Sequence, residues 1–185
     1  TATVPAVGRG VAVALVLAVA GMAVRFQGRY ERASGRLQDY MRSPSEESLN
    51  RVKDCLPDVI YHPGFMWEYC RHLYLNRRYC DCLGVYHAHV RKTSETLCDL
   101  GNAYLNVYGF REAEACFAQA RQMIPTRIYP RYCLFRLYRS QGDTLRARQT
   151  AEALVAFPVR IMNSTSIRIK AEARNYLKHL RRNDW

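Results

Sequence analysis

The residue pattern predicts an all-α fold: a solenoid of helical hairpins closed by a C-terminal capping helix and preceded by an N-terminal transmembrane helix. Three observations carry that expectation. Large and small residues recur at a spacing near 34 through the middle of the chain, an uncharged run stands near its start, and a basic amphipathic segment ends it. The 185 residues are 49% hydrophobic, enough for one domain with a core plus an appendage, which excludes wholesale disorder. A first residue of Thr rather than Met suggests a longer or processed polypeptide.

The uncharged run, Gly10 to Val24, reaches roughly 22 Å as a helix, short of a hydrocarbon core of ~30 Å. Snorkelling by Arg9 and Arg25 lengthens the span, and Phe26 and Tyr30 fall where an interfacial aromatic belt is expected. Residues 1–25 therefore read as a transmembrane helix. The alternative is a secretory signal, because Ala18-Val19-Ala20 has the small-x-small form of a cleavage site. Arg25, Arg29, Arg32 and Arg36 follow the run while Arg9 alone precedes it, a bias that places the rest of the chain in the cytoplasm. Residues 26–62 are expected to form linking helices or a half repeat. One helix would run from about Arg25 to Met41. A second, from about Pro44 to Cys55, would be capped by Ser43 with Glu46 closing a capping box.

Residues 63–158 hold three hairpin repeats. The clearest reads Leu97-x-x-Leu100-Gly101-x-x-Tyr104, then Ala113-x-x-x-Phe117, Ala120 and Pro125. This is the spacing of the tetratricopeptide (TPR) repeat, with Leu97 in the place of its usual Trp. Gly101 and Ala113 allow close approach of two helices, Leu100, Tyr104 and Phe117 fill the seam, and Pro125 stops the second helix. One period later come Leu134, Tyr138, Ala147, Ala151 and Leu154, with Gly142 at the turn and Phe135 in the place of the small glycine, where the pair should splay. One repeat earlier, at a spacing of 31, stand Met66, Tyr69, Cys70, Leu73, Cys82 and Tyr86.

The final segment, 159–185, is expected to cap the stack with a helix from about Ser166 to Leu180. Ile167, Ala171, Leu177 and Leu180 would lie inward, and Arg168, Lys170, Arg174 and Lys178 outward. From Arg121 onward the chain carries fourteen Arg or Lys against four Asp or Glu, an excess of ten in a total charge of +12. Such a field favours an anionic partner, either anionic lipid headgroups, a nucleic acid or an acidic protein. Net charge does not choose among them, no nucleic-acid motif accompanies it, and solvation of the capping helix is the first reading of its basic face.

No phosphate loop, nucleophile elbow or zinc-protease signature occurs, so neither a catalytic residue nor a cofactor is expected. His62, Cys70, His72, Cys80, Cys82, His87 and His89 crowd one repeat, yet the i,i+2 pairs point apart on a helix and the face-sharing pairs are about 10 Å apart along it. No metal is expected there. The seven cysteines, an odd number mostly within helical patterns, read as small buried hydrophobes in a reducing compartment. The binding site expected is the groove lined by the first helix of each hairpin: Trp67, Arg71 and Tyr74, then Asn102 and Asn106, then Tyr132, Arg136 and Arg139. Those aromatic, amide and guanidinium groups suit a protein or peptide partner bearing a carboxylate or other anionic group; the alternative is a solvated concave face with no dedicated ligand.

Two stretches, Ala120 to Tyr138 and Val159-Arg160-Ile161-Met162 through Lys170, resemble the C-terminal repeat region of O-antigen ligase/polymerase membrane proteins of Bacteroides-type bacteria. The order of parts is similar too: a last transmembrane helix, a charged aromatic segment, then repeats. The resemblance implies a non-catalytic tail in the bacterial inner membrane, serving surface-polysaccharide assembly, with glycan transfer residing in upstream membrane segments. It leaves open a free-standing periplasmic TPR adaptor released by signal cleavage.

Overall fold

A computed structural model describes residues 6–159 and 163–183, with side chains for 10–159 and 163–180. The expectations for Arg9, Arg160, Ile161, Met162, Arg181, Arg182 and Asp184 concern side chains outside the described residues. The described residues form ten helices and no strand: α1 Ala6–Arg42, α2 Glu46–Lys53, α3 Leu56–Val59, α4 Pro63–Leu75, α5 Tyr79–His89, α6 Ser94–Asn106, α7 Phe110–Met123, α8 Tyr129–Ser140, α9 Thr144–Ala156 and α10 Ser164–Asn183. The all-α expectation holds. Two compact units meet at His72/Leu73, within α4.

In the first unit α1 is one unbroken helix of 37 residues, so the expected joint at residue 25 is absent. No proline interrupts the segment before Pro44, and nothing else in it forces a break. The side chains from Val11 to Val24 lie on an exposed surface, and this is one helix long and apolar enough to cross a membrane. Beyond them Ala33, Leu37 and Tyr40, one helical face, are buried where α1 packs with α2 and α3, whose own Leu49, Val52 and Val59 are buried. The cap of α2 also differs from expectation. Ser45, not Ser43, is the N-cap, and Ser48 rather than Glu46 closes the box. The buried Ser48 hydroxyl, 3.0 Å from both Ser43 O and Ser45 O, anchors that arrangement from within.

Three first helices end alike. Leu75, Asn106 and Ser140 are each followed by three residues, the middle one left-handed: Arg77 (φ 59°), Tyr108 (φ 61°) and Gly142 (φ 72°). In each turn an N–H reaches back five residues, Arg78 to Leu73 O at 2.9 Å, Gly109 to Tyr104 O at 2.9 Å and Asp143 to Tyr138 O at 3.0 Å. A second bond joins Arg77 N to Tyr74 O, Tyr108 N to Leu105 O and Gly142 N to Arg139 O. This is the Schellman geometry, which satisfies carbonyls left open at a helix end. It recurs at spacings of 31 and 34, the same intervals that the side chains follow.

In the second unit Leu97, Cys98, Ala113, Phe117, Ala120, Cys133, Leu134 and Leu137 form one core joining α6, α7 and α8. Gly101 is there because nothing larger fits: a Cβ on it would stand 2.5 Å from Phe117 Cε1. One period on, the partners exchange sizes. Phe135 takes the place of Gly101 and Ala151 that of Phe117, and both are buried in a second core with Leu154, Ile169 and Ala173. Phe135 therefore finds room opposite a small residue and beside α10.

The capping helix buries a different face from the one expected. Ser166, Ile169 and Ala173 point inward, with Tyr176 and Leu177 packed beside them, whereas Ile167 is 53% exposed and Ala171 is also exposed. The inward face follows the i, i+3, i+7 positions from Ser166, set by Asn163, whose side chain caps the helix at Ser166 N (2.8 Å).

Candidate functional site

In the second unit Tyr74, Asn106, Tyr132 and Arg136 stand on α4, α6 and α8. The Asn106 amide donates to Tyr74 Oη at 3.1 Å and to Asn102 O at 2.8 Å. Burial raises the Tyr74 phenol pKa, while Asn106 and the nearby Arg136 charge pull it down. Arg136 stacks over Tyr132, 5.9 Å from the ring centroid, and no carboxylate among the described residues pairs with it. This leaves the Arg136 guanidinium and the Tyr74 hydroxyl as the groups able to hold a carboxylate, since both Asn106 amide hydrogens are already donated.

Five expected lining residues are placed otherwise. Asn102 is buried, and its side chain is hydrogen-bonded to Tyr129, whose own pKa burial pushes up to about 12. A short side chain at the centre of α6 is covered by its neighbours, so Asn102 supports the groove rather than lining it. Tyr132 and Arg139 have their polar ends engaged: Tyr132 Oη donates to Glu172 Oε2 at 2.7 Å, and Arg139 Nη1 to Glu172 Oε1 at 2.7 Å. Arg139 also lies over Phe135 and Tyr176, at 5.3 and 5.4 Å. The chain's own carboxylate thus occupies the anion-binding capacity expected at that end. Trp67 belongs to the first unit with Arg71, which stacks on it at 5.8 Å and pairs with Glu68 at 3.8 Å.

Sequence reasoning missed Glu172 and Tyr129 as parts of this surface. Glu172 is the single acidic residue of α10, a sign that it answers specific cations. Tyr129 stands one turn before Tyr132.

The outer basic set is also altered. Lys170 Nζ donates to Val155 O and Phe157 O, at 3.2 and 2.6 Å, and so caps the carbonyl end of α9. Arg168, Arg174 and Lys178 remain exposed. All seven cysteines are unbridged, with Cys70, Cys82, Cys98 and Cys133 fully enclosed. A hydrogen bond with Cys133, then burial, raises the Cys98 thiol pKa. Among the described residues no group of three or more His, Cys, Asp or Glu is placed to hold a metal ion.

Comparison with protein-family models, curated proteins and solved structures gives no match.

Proposed function

We propose that this chain is a membrane-anchored TPR-type scaffold, the non-catalytic tail of an O-antigen ligase-like protein in surface-polysaccharide assembly. The observation that carries the scaffold reading is the threefold Schellman turn at 77, 108 and 142, with side chains in the same register. Identical turns at near-constant intervals describe one supersecondary unit repeated, and such stacks present their first helices as a binding surface. The anchor rests on the exposed apolar half of α1. The family assignment rests on the two resembling stretches and the order of parts.

The partner is a peptide with a carboxylate set on Arg136, between Tyr74 and Tyr132. Arg168, Arg174 and Lys178 form a second surface, suited to anionic lipid on the cytoplasmic side. The test uses the full chain in detergent micelles and a library of peptides with free or amidated C-termini. Peptides with a free carboxylate are expected to bind, and Arg136→Gln to weaken them about tenfold, the worth of one charged hydrogen bond. Equal binding of amidated peptides, or no effect of the substitution, would remove the groove as the site.

A further inference from the structure

The second unit carries another cationic feature, on α7, α8 and α9 rather than on the groove. Arg121, in the last turn of α7, and Arg131, in the first turn of α8, line a cleft of about 180 Å³ with Gln149 and Thr150 of α9. Leu134 and Ala153 supply apolar lining. The two guanidiniums are close enough that the Arg121 charge, after burial, lowers the Arg131 pKa. Like charges held together raise the energy of the folded chain unless something negative joins them.

Nothing negative in the described residues does so. The cleft has no acidic lining residue, and neither arginine is in an ion pair there. Other arginines of the molecule are answered: Arg139 by Glu172, Arg146 by Glu114 and Asp143, Arg127 by Glu95. In the first unit, the cleft of Arg29, Arg32 and Arg36 is also lined by Asp54 and Asp58, and Asp58 pairs with Arg29 at 3.2 Å. Arg131 is also held in place. Its guanidinium stacks on Phe157 at 4.8 Å, one Nη donates to Pro125 O at 3.4 Å, and its buried Nε–H has no protein acceptor.

We infer that this cleft binds a phosphate monoester, held by Arg121 and Arg131 with Gln149 and Thr150 at its edge. Charge decides the class. Two uncompensated guanidiniums match a phosphate of charge near −2 at neutral pH better than a singly charged carboxylate. Size agrees, since 180 Å³ equals about six water volumes, room for a phosphate and a short ester arm.

Phosphate also stabilises proteins non-specifically by exclusion from their surfaces, so a melting shift alone does not test the inference. Direct titration does: ³¹P line broadening of inorganic phosphate with the full chain in detergent micelles, at constant ionic strength. Saturable binding is expected, with acetate failing to compete at equal concentration. Arg121→Gln should weaken it about tenfold and Arg121→Lys much less. Arg121 is exposed, so these variants keep the fold, which circular dichroism verifies. Arg111→Gln, removing the same charge from an exposed position elsewhere on the unit, should leave binding unchanged. Glucose 1-phosphate and phosphoserine, titrated in parallel, distinguish a sugar-phosphate source from a phosphorylated protein, the tighter ligand naming the source. Unsaturable binding, equal competition by acetate, or equal loss in the Arg121 and Arg111 variants would each overturn the inference.

Discussion

Replacing Gly101 by alanine adds one carbon at the tightest contact of the second unit. That carbon would lie 2.5, 2.8 and 2.9 Å from three atoms of the Phe117 ring. Carbon atoms rest at about 3.5–4.0 Å, so the ring must retreat by about 1 Å. Phe117 is fully buried between α6, α7 and α8, with no solvent side to move toward. Overpacking of this kind costs about 1–3 kcal/mol, while alanine gains about 1 kcal/mol over glycine within a helix. The net expectation is a loss of about 0–2 kcal/mol, which one variant cannot interpret. A cycle with Phe117→Ala separates the terms. That change alone costs about 3–5 kcal/mol. With the ring gone, Gly101→Ala should stabilise by about 1 kcal/mol, a coupling of about 1–3 kcal/mol between the sites. Urea unfolding followed by far-ultraviolet circular dichroism reads all four corners, and Phe117→Val substitutes if the alanine variant does not fold. The same effect of Gly101→Ala in both backgrounds would show that glycine is not there to admit the ring.

Glu172→Gln should lower stability by about 1 kcal/mol in the same assay, since Arg139 and Tyr132 lose a charged acceptor in a half-exposed site. It should also speed proteolysis within α10 and tighten carboxylate peptides by releasing Arg139. The Asp143 carboxyl is held below its ordinary pKa of 3.8 by the Arg146 backbone N–H and then its side chain. Its stabilisation is therefore complete above that value and disappears as pH falls through the lower folded-state value. Asp143→Asn should lower the melting temperature at neutral pH and leave it almost unchanged at the acid end of the titration.

Where a residue's neighbours lay within its own hairpin, the pattern along the chain was enough to place it. Gly101, Tyr104, Ala113 and Phe117 touch across a single turn, so the 34-residue spacing set both partners, and the left-handed Gly142 announced its turn by residue type. Arg77 and Tyr108 occupy the same conformation with side chains that give no sign of it, because the hydrogen bonds of the turn impose it. Phe135 looked like a misfit because only the small place was considered. Its fit depends on Ala151 and on Ala173, thirty-eight residues away. The face of α10 failed for a similar reason. Ile167 is as apolar as Ile169, and which one is buried is decided by the Asn163 cap and by the surface of α8 and α9. The residue types on α4, α6 and α8 could be read along the chain, but not the engagement of Tyr132 and Arg139 by Glu172, which arrives from α10.

A repeat scaffold held at a membrane by its own first helix must keep that helix in the mature chain. Intact-mass measurement of the protein recovered from alkali-washed membranes of its native host tests this most directly. A membrane-retained species whose mass includes Gly10 to Val24 is expected. A soluble species with a new N-terminus at Gly21 would contradict it.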